Sequence, residues 1–128
     1  MIDHIGINAR DFEASRRFYD AALKPLGLTT IMEVTPQETG GFHALGYGAG
    51  DKPDFWLGNG DPRGAGAHVA FVASSRAQVD AFHAAALGAG GKDNGAPGLR
   101  LDYHPTYYAA FVIDPDGLNV EAVCQAPE

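Results

Sequence analysis

Short segments with apolar residues at alternate positions dominate the chain and predict β-strands with two helices among them. The first segment, residues 3–9, places its isoleucines on one face of a strand and His4 on the other. After Asp11, a residue type that favours helix N-termini, apolar residues recur at helical spacing over Phe12–Leu23. β-Branched and aromatic residues then predict three further strands, over residues 28–34, 42–47 and 54–57.

The second half of the chain repeats this order of elements. Residues 67–73 alternate again, with His68 on the face opposite the large apolar side chains. Ser75 and Gln78 have the spacing of a capping box and predict a helix that extends to about Leu87. The glycine-rich residues 90–98 are typical of a flexible loop. Three more strands are predicted, over residues 99–103, 106–113 and 118–124.

A shift of 64 residues superimposes the two halves without a gap. It places His4 on His68 and Phe18 on Phe82, and it matches both a strand and a helix. Such a match indicates an internal repeat. Because neither copy can bury both the helix-facing side and the concave side of its sheet alone, we expect the two copies to form one composite domain.

We therefore predict an α+β fold that forms a single domain over residues 1–128. It would contain two repeated β-α-β-β-β units, at about residues 1–60 and 66–124, whose strands make one cupped, eight-stranded mixed sheet with the helices outside. Composition agrees with a compact globular domain, since 45% of the residues are hydrophobic and the mean hydropathy is −0.14.

Charge and cysteine content exclude several partners and settings. The formal charge of −7, with lysines and arginines scattered, argues against nucleic acid or an anionic membrane as a partner. No apolar run approaches a membrane span, and the first residues lack the pattern of a signal peptide. The single cysteine, Cys124, cannot form an internal disulfide, which agrees with a cytoplasmic location.

Three polar residues interrupt the apolar strands: His4, His68 and Glu121. If the two units face a common cavity, all three side chains would point into it. Two imidazoles and one carboxylate suit a divalent iron, manganese, zinc or nickel ion and leave coordination positions open. A single strand histidine is more commonly a hydrogen-bonded core or rim residue, and it is the repeat that favours ligation here.

The paired histidines, the two units and the segment Asp-Pro-Asp-Gly-Leu-Asn-Val-Glu at residues 114–121 resemble the glyoxalase/bleomycin-resistance/extradiol-dioxygenase superfamily, which has the vicinal oxygen chelate fold. The resemblance extends over essentially the whole chain, and residues 114–121 are its most specific part. It implies one divalent metal ion that chelates a substrate, intermediate or transition state through adjacent oxygens. It also implies an assembly that is often a homodimer, and it leaves open whether His4 and His68 of one site come from one chain or from two.

Members that resemble glyoxalase I have a fourth ligand, a glutamate or glutamine of the first unit at the position related to the last glutamate. The shift of 64 residues relates Glu121 to Leu57, which cannot bind a metal. The resemblance therefore favours three-ligand members, such as extradiol dioxygenases and fosfomycin-resistance thiol transferases, over a lactoylglutathione lyase. Metal-free bleomycin-binding members lack these ligands and are favoured less.

Relatives of the dioxygenase type often have a tyrosine ten residues before the glutamate, where this chain has Phe111. The same shift relates Phe111 to Tyr47, and Tyr107 has the strand parity of Phe111. Either Tyr107 or Tyr47 could supply the missing hydroxyl. Aromatic packing is the commoner role for such residues.

The favoured hypothesis is a metal-dependent enzyme that binds a small organic substrate bidentately through vicinal oxygens. Tyr107 is the candidate catalytic residue, and four residues are candidates for an apolar substrate-binding cup: Tyr47, Phe55, Leu57 and Phe111. Iron would favour ring-opening dioxygenation, whereas manganese, zinc or nickel would favour isomerase, lyase or thiol-transferase chemistry. The alternatives are a drug- or metabolite-binding protein without turnover, and a domain whose partner is another chain.

Overall fold

The computed structural model describes residues 2–62 and 67–127. The strands and helices follow in the order β1 (Ile5–Ala9), α1 (Phe12–Leu23), β2 (Thr29–Val34), α2 (Pro36–Thr39), β3 (Ala44–Gly48), β4 (Phe55–Asn59), β5 (His68–Val72), α3 (Arg76–Gly88), β6 (Lys92–Leu99), β7 (Tyr108–Ile113) and β8 (Asn119–Cys124). A short 3-10 helix, Lys24–Leu26, follows α1. In the described part of the chain, no helix is both long and apolar enough to cross a membrane.

The strands form two four-stranded sheets with the same topology. Sheet 1 has the order β1-β4-β3-β2, and sheet 2 has the order β5-β8-β7-β6. In each sheet the first and last strands of the unit pair in parallel, and the other neighbours are antiparallel. The predicted α+β class and the two β-α-β-β-β units are confirmed. The eight strands lie in two sheets, however, since no ladder joins β1 to β5 within the residues described.

Both long helices begin at the caps that the sequence predicts. The Asp11 carboxylate accepts a hydrogen bond from the backbone nitrogen of Ala14 at 3.1 Å. The Ser75 hydroxyl accepts one from the nitrogen of Gln78, while the Gln78 side-chain oxygen reaches back to the nitrogen of Ser74 at 2.8 Å. In the usual capping box the Gln78 side chain would accept from the nitrogen of the N-cap residue Ser75. Here it accepts from the residue before the N-cap.

The core lies between the sheets and the helices, and α1 also packs against α3. Its largest aromatic side chains are fully buried: Phe18, Tyr19, Tyr47, Phe55 and Phe82. Cys124 belongs to this core and is buried, which agrees with a packing role.

A buried carboxylate joins the two units. The Tyr19 hydroxyl of α1 donates to one oxygen of Asp114 at 2.7 Å, although these residues belong to different units. The backbone nitrogens of Asp116 and Leu118 donate to the other oxygen of Asp114 at 2.8 and 2.9 Å. The Asp-Pro-Asp-Gly turn is thus held in shape by Asp114 and is fixed against the helix of the first unit.

One predicted element is wrong. Residues 90–98 were expected to be a loop and residues 99–103 a strand, whereas β6 (Lys92–Leu99) is the strand and the next residues form turns. The pairing of β6 with β7 contains two register shifts, and Gly95 has a φ of +155°. An edge strand of this irregular kind tolerates glycine and proline, so its sequence lacks the alternation that would have revealed it.

Candidate functional site

Each sheet has one face against the helices and one open face. On β8, Val120 and Ala122 belong to the core, so Glu121 between them lies on the open face of sheet 2. On β5, Val69 and Phe71 face the core, which places His68 on the same open face. This open face of sheet 2 is formed around His68, Arg100, Tyr107, Phe111 and Glu121.

Glu121 is the centre of a short polar network on this face. Its side chain is only 1% exposed, and its two oxygens have different partners. Nε2 of His68 lies 2.7 Å from Oε1, and the Tyr107 hydroxyl donates to Oε2 at 2.5 Å. In the described part of the chain, no lysine or arginine pairs with this carboxylate. A buried charge held only by an imidazole and a phenol is typical of a site that receives a cation.

Burial and the hydrogen bond to Glu121 both favour the protonated form of the Tyr107 phenol. Burial, followed by the hydrogen bond and the charge of Glu121, raises the pKa of Tyr107 to about 12. A phenol with this pKa is a neutral donor at physiological pH. Tyr107 therefore holds Oε2 of Glu121 in place with the one hydrogen that its phenol can donate.

Phe111 lies beside Glu121 on the neighbouring strand and connects the rest of the open face. The His68 ring lies with its centroid 6.1 Å from that of Phe111. The guanidinium carbon of Arg100 lies 5.4 Å from the same ring centroid. One apolar ring thus separates a candidate metal ligand from a cation.

The open face of sheet 1 is mostly apolar and contains His4. It lines a cavity of about 440 Å³. Its lining residues are His4, Gly6, Ile7, Asn8, Val34, Phe42, Ala44, Trp56 and Gly58. Trp56 lies across the neighbouring strand, since a Cβ on Gly46 would lie 3.0 Å from the Trp56 ring. The glycines of this face let rings pack close to the backbone, with Trp56 over Gly46 and Phe42 over Gly58.

His4 is separate from the other two predicted ligands. Its Nδ1 contacts the Asp3 carboxylate at 2.6 Å, and its side chain is 56% exposed. Within residues 2–62 and 67–127, no three His, Cys, Asp or Glu side chains of one chain are grouped closely enough to hold a metal ion. The structure therefore brings His68 and Glu121 together with Tyr107, and it leaves His4 at the surface of the first unit.

Three of the four predicted cup residues lie elsewhere. Tyr47, Phe55 and Leu57 are at most 1% exposed and belong to the core on the helix side of sheet 1. The Tyr47 hydroxyl donates to Asp20 of α1 at 2.8 Å and so cannot supply a proton at the open face. Phe111 is the member of the set that lies on an open face.

The pairing of strands explains this error. Gly6 of β1 pairs with Trp56, and its counterpart Ala70 of β5 pairs with Glu121. The structural counterpart of Glu121 is therefore Trp56, not Leu57, because the second unit has one residue more before its last two strands. The position of a fourth ligand is thus occupied by an indole, which also cannot bind a metal.

The same offset applies to the preceding strand. Phe111 pairs with Glu121, and the equivalent pair in sheet 1 is Gly46 with Trp56. Phe111 therefore corresponds to Gly46 and not to Tyr47. A shift of one residue along a strand turns every side chain to the other face, so the ungapped alignment selected the core face.

The residues present fit a divalent ion. Two donor atoms that each lie about 2.1 Å from one ion at roughly a right angle are about 3 Å apart. The 2.7 Å between His68 Nε2 and Glu121 Oε1 is close to this separation. The Tyr107 bond to the second oxygen is the kind of outer contact that orients a ligating carboxylate.

Two residues of the open faces were missed in the sequence: Trp56 and Arg100. Strand pairing, which sequence patterns do not show, decides the face of Trp56. Arg100 follows the glycine-rich segment that was expected to be a loop, and nothing in its neighbourhood marks it as a site residue.

Two β-α-β-β-β units with a His–Glu pair on an open sheet face have the architecture of the class that the sequence resembles. The chain belongs to the Glyoxalase/Bleomycin resistance protein/Dioxygenase superfamily, whose sequence model matches residues 1–122. No functionally curated protein shows significant similarity to the chain.

Solved structures of this superfamily share the fold over the full chain. A glyoxalase/bleomycin resistance protein from Albidiferax ferrireducens is 30% identical, with a TM-score of 0.73 and 98% of each chain covered. A family enzyme from Burkholderia phytofirmans is 17% identical, with a TM-score of 0.69 and the same coverage. Glyoxalase I from Zea mays is 19% identical with a TM-score of 0.66, and 99% of this chain covers 45% of that one.

Proposed function

We propose that this chain is a metal-dependent enzyme that binds a small organic substrate through two adjacent oxygens, at a divalent ion held by His68, Glu121 and His4. The observation that carries the proposal is the buried Glu121 carboxylate, whose partners are an imidazole nitrogen at 2.7 Å and a phenol. Iron, manganese, zinc and nickel all accept two imidazoles and one carboxylate.

The proposal assigns His4 of one copy to the site of a second copy in a homodimer. Three observations support this assignment. β1 and β5 are edge strands of their sheets. His4 is exposed at the start of β1. Within one chain, the described residues supply only two of the three ligands in contact. Pairing the open face of sheet 1 with that of sheet 2 would complete the ligand set and enclose the cavity beside Trp56.

When bound, the ion supplies Lewis acidity or a site of oxygen activation. Tyr107 keeps Oε2 of Glu121 oriented and holds a proton at its phenol oxygen. Phe111 and Trp56 give apolar walls that exclude water from the chelated oxygens. With iron this arrangement supports ring-opening dioxygenation, and with manganese, zinc or nickel it supports isomerase, lyase or thiol-transferase chemistry.

The test is metal uptake by protein purified without oxygen, with each of the four ions titrated in turn. We expect about one equivalent per chain for at least one ion, and Glu121→Gln should weaken its binding by about a hundredfold or more. Glu33→Gln is the matched control, because Glu33 makes an equal 2.7 Å contact with His43 away from the open face. Uptake below about a tenth of an equivalent by the wild type contradicts the proposal.

A second candidate is a protein that sequesters a drug or metabolite without turnover. It is favoured by the apolar cavity of sheet 1, where Phe42 is 49% exposed beside Trp56. This function needs no metal. Tight binding of aromatic ligands by the metal-free protein, unaffected by Glu121→Gln, would support it over the enzyme.

A further inference from the structure

Arg100 is a cation on the open face of sheet 2 without a carboxylate partner among the residues described. We propose that Arg100 binds an anionic group of the substrate, and that the substrate is therefore an acid, such as a carboxylate, with vicinal oxygens for the metal. This inference rests on the proposed function and names the substrate class of the same site.

The protein uses only a small part of the guanidinium's hydrogen-bonding capacity. Nη2 of Arg100 donates to the backbone oxygen of Ala96 at 2.7 Å, and the face of the group lies over Phe111 at 5.4 Å. A guanidinium has five donor hydrogens in a planar fork. The bond to Ala96 fixes the orientation of the fork, and its remaining donors match the two oxygens of a carboxylate.

Two glycines of β6 allow the guanidinium to pack close to the backbone of that strand. A Cβ on Gly95 would lie 3.2 Å from Nη2 of Arg100, and one on Gly98 would lie 3.2 Å from Nη1. A side chain at either glycine would therefore press on the guanidinium. The two glycines and the Phe111 ring form a cradle that holds the cation and adds no anion to neutralise it.

The position of the cradle matches a ligand that spans it and the metal site. Phe111 contacts the Arg100 guanidinium, lies beside the His68 ring, and pairs with Glu121 across the sheet. The two ends of the site are thus separated by the width of one aromatic side chain. In a chain with a net charge of −7, an unneutralised cation at this distance selects for a small anion.

The experiment measures the binding of three catechol acids with different spacers to the zinc-loaded protein without oxygen: 3,4-dihydroxybenzoate, 3,4-dihydroxyphenylacetate and 3-(3,4-dihydroxyphenyl)propionate. Each is compared with its methyl ester by calorimetry. The ester keeps the two vicinal hydroxyls and loses the charge. For at least one acid we expect binding about tenfold or more tighter than that of its ester, the size of a charge-assisted hydrogen bond.

Arg100→Gln should remove this preference and leave ester binding within about threefold of the wild type. Arg17→Gln is the matched control, since it removes the same charge from an exposed position on α1 and should keep the preference. Equal binding of acids and esters by the wild type, or an unchanged preference in Arg100→Gln, overturns the inference and leaves the metal site standing.

Two other outcomes separate this inference from the proposed function. Loss of ester binding in Arg100→Gln would show that Arg100 maintains the shape of the site and would overturn its role as an anion ligand. Failure of the wild type to bind either member of any pair, despite taking up zinc, would overturn chelation of vicinal oxygens and, with it, the substrate class.

Discussion

At the scale of single residues, the site depends on how Glu121 is held. One oxygen faces His68, and the other is fixed by the Tyr107 phenol. The phenol is 14 residues before the glutamate in sequence, and the shared strand parity with Phe111 brings it to the same face. A hydroxyl is therefore present beside the carboxylate although Phe111 occupies the usual tyrosine position of the dioxygenase-type relatives.

Tyr107→Phe should keep the fold and weaken metal binding by about tenfold to a hundredfold, because outer contacts orient a ligating carboxylate without replacing it. The measurement is a metal titration against a competing chelator. Tyr103→Phe is the control, since its exposed ring packs on Tyr107 at 5.1 Å and makes no bond to Glu121. Metal affinity equal to that of the wild type in Tyr107→Phe would show that the phenol does not position Glu121.

Sequence reasoning placed three candidate site residues on one sheet face but missed part of their surroundings. His68, Glu121 and Tyr107 could be predicted because a strand's alternation assigns each side chain to a face. The repeat then related His4 to His68 correctly, since the first strand and helix of the two units match without a gap. Arg100 could not be predicted, because its position depends on the irregular pairing of β6 with β7.

At the scale of elements, the second unit differs from the first by one extra residue before its last two strands. The shift of 64 residues holds through the first strand and helix, and it fails at β3 and β4, where the pairing requires one residue more. The ungapped alignment therefore assigned Tyr47, Phe55 and Leu57 to the open face, whereas their side chains belong to the core. A one-residue change is invisible in composition and periodicity, and only the register of neighbouring strands reveals it.

The start of β6 depends on a close approach at Gly91. A Cβ there would lie 2.5 Å from a Val112 methyl carbon and 2.6 Å from the Phe18 ring. Gly91→Ala should therefore destabilise the protein by about 2 kcal/mol through overpacking, measured by urea unfolding. Gly88→Ala, where an added Cβ meets nothing within 4 Å, should be neutral or stabilising by up to about 1 kcal/mol. Equal effects of the two substitutions would contradict this packing.

Two buried tyrosines form hydrogen bonds between α1 and neighbouring elements. Their raised pKa values make the stability of the protein pH-dependent in the alkaline range. Burial, then the charge of Asp114 and the hydrogen bond to it, raises the pKa of Tyr19 well above its usual value. Burial and the hydrogen bond to Asp20 raise the pKa of Tyr47. The native state therefore keeps protons that the unfolded chain loses near pH 10, and stability falls as the pH rises above about 10.

The free energy of unfolding should fall above pH 10 by about 1.4 kcal/mol per pH unit for each of these tyrosines. Urea unfolding between pH 9 and pH 11.5 measures this slope. Replacing both Tyr19 and Tyr47 by phenylalanine should reduce it relative to the wild type, whatever the change in absolute stability. A slope that is the same in the double variant would show that these phenols ionise as readily in the native state as in the unfolded chain.

At the scale of the whole molecule, each chain presents two open sheet faces that each contain part of the proposed site. Sheet 1 presents His4, Trp56 and a cavity, and sheet 2 presents the His68–Glu121 pair. Each sheet ends in an edge strand, β1 or β5, whose outer side has no partner strand within the part of the chain described. Patterns along one sequence predict the units, but they contain no information on whether the two faces of one site belong to one chain or to two.

Subunit mixing tests most directly whether the metal centre is built from two copies. His4→Ala and Glu121→Gln chains with different affinity tags are co-expressed, and the mixed dimers are isolated by two successive purifications. If His4 of one copy completes the site of the other, each mixed dimer contains one intact site, and metal uptake should be about half an equivalent per chain. The two parent variants should bind almost none. Mixed dimers that bind no more metal than their parents, while the wild type binds a full equivalent, would contradict the shared centre.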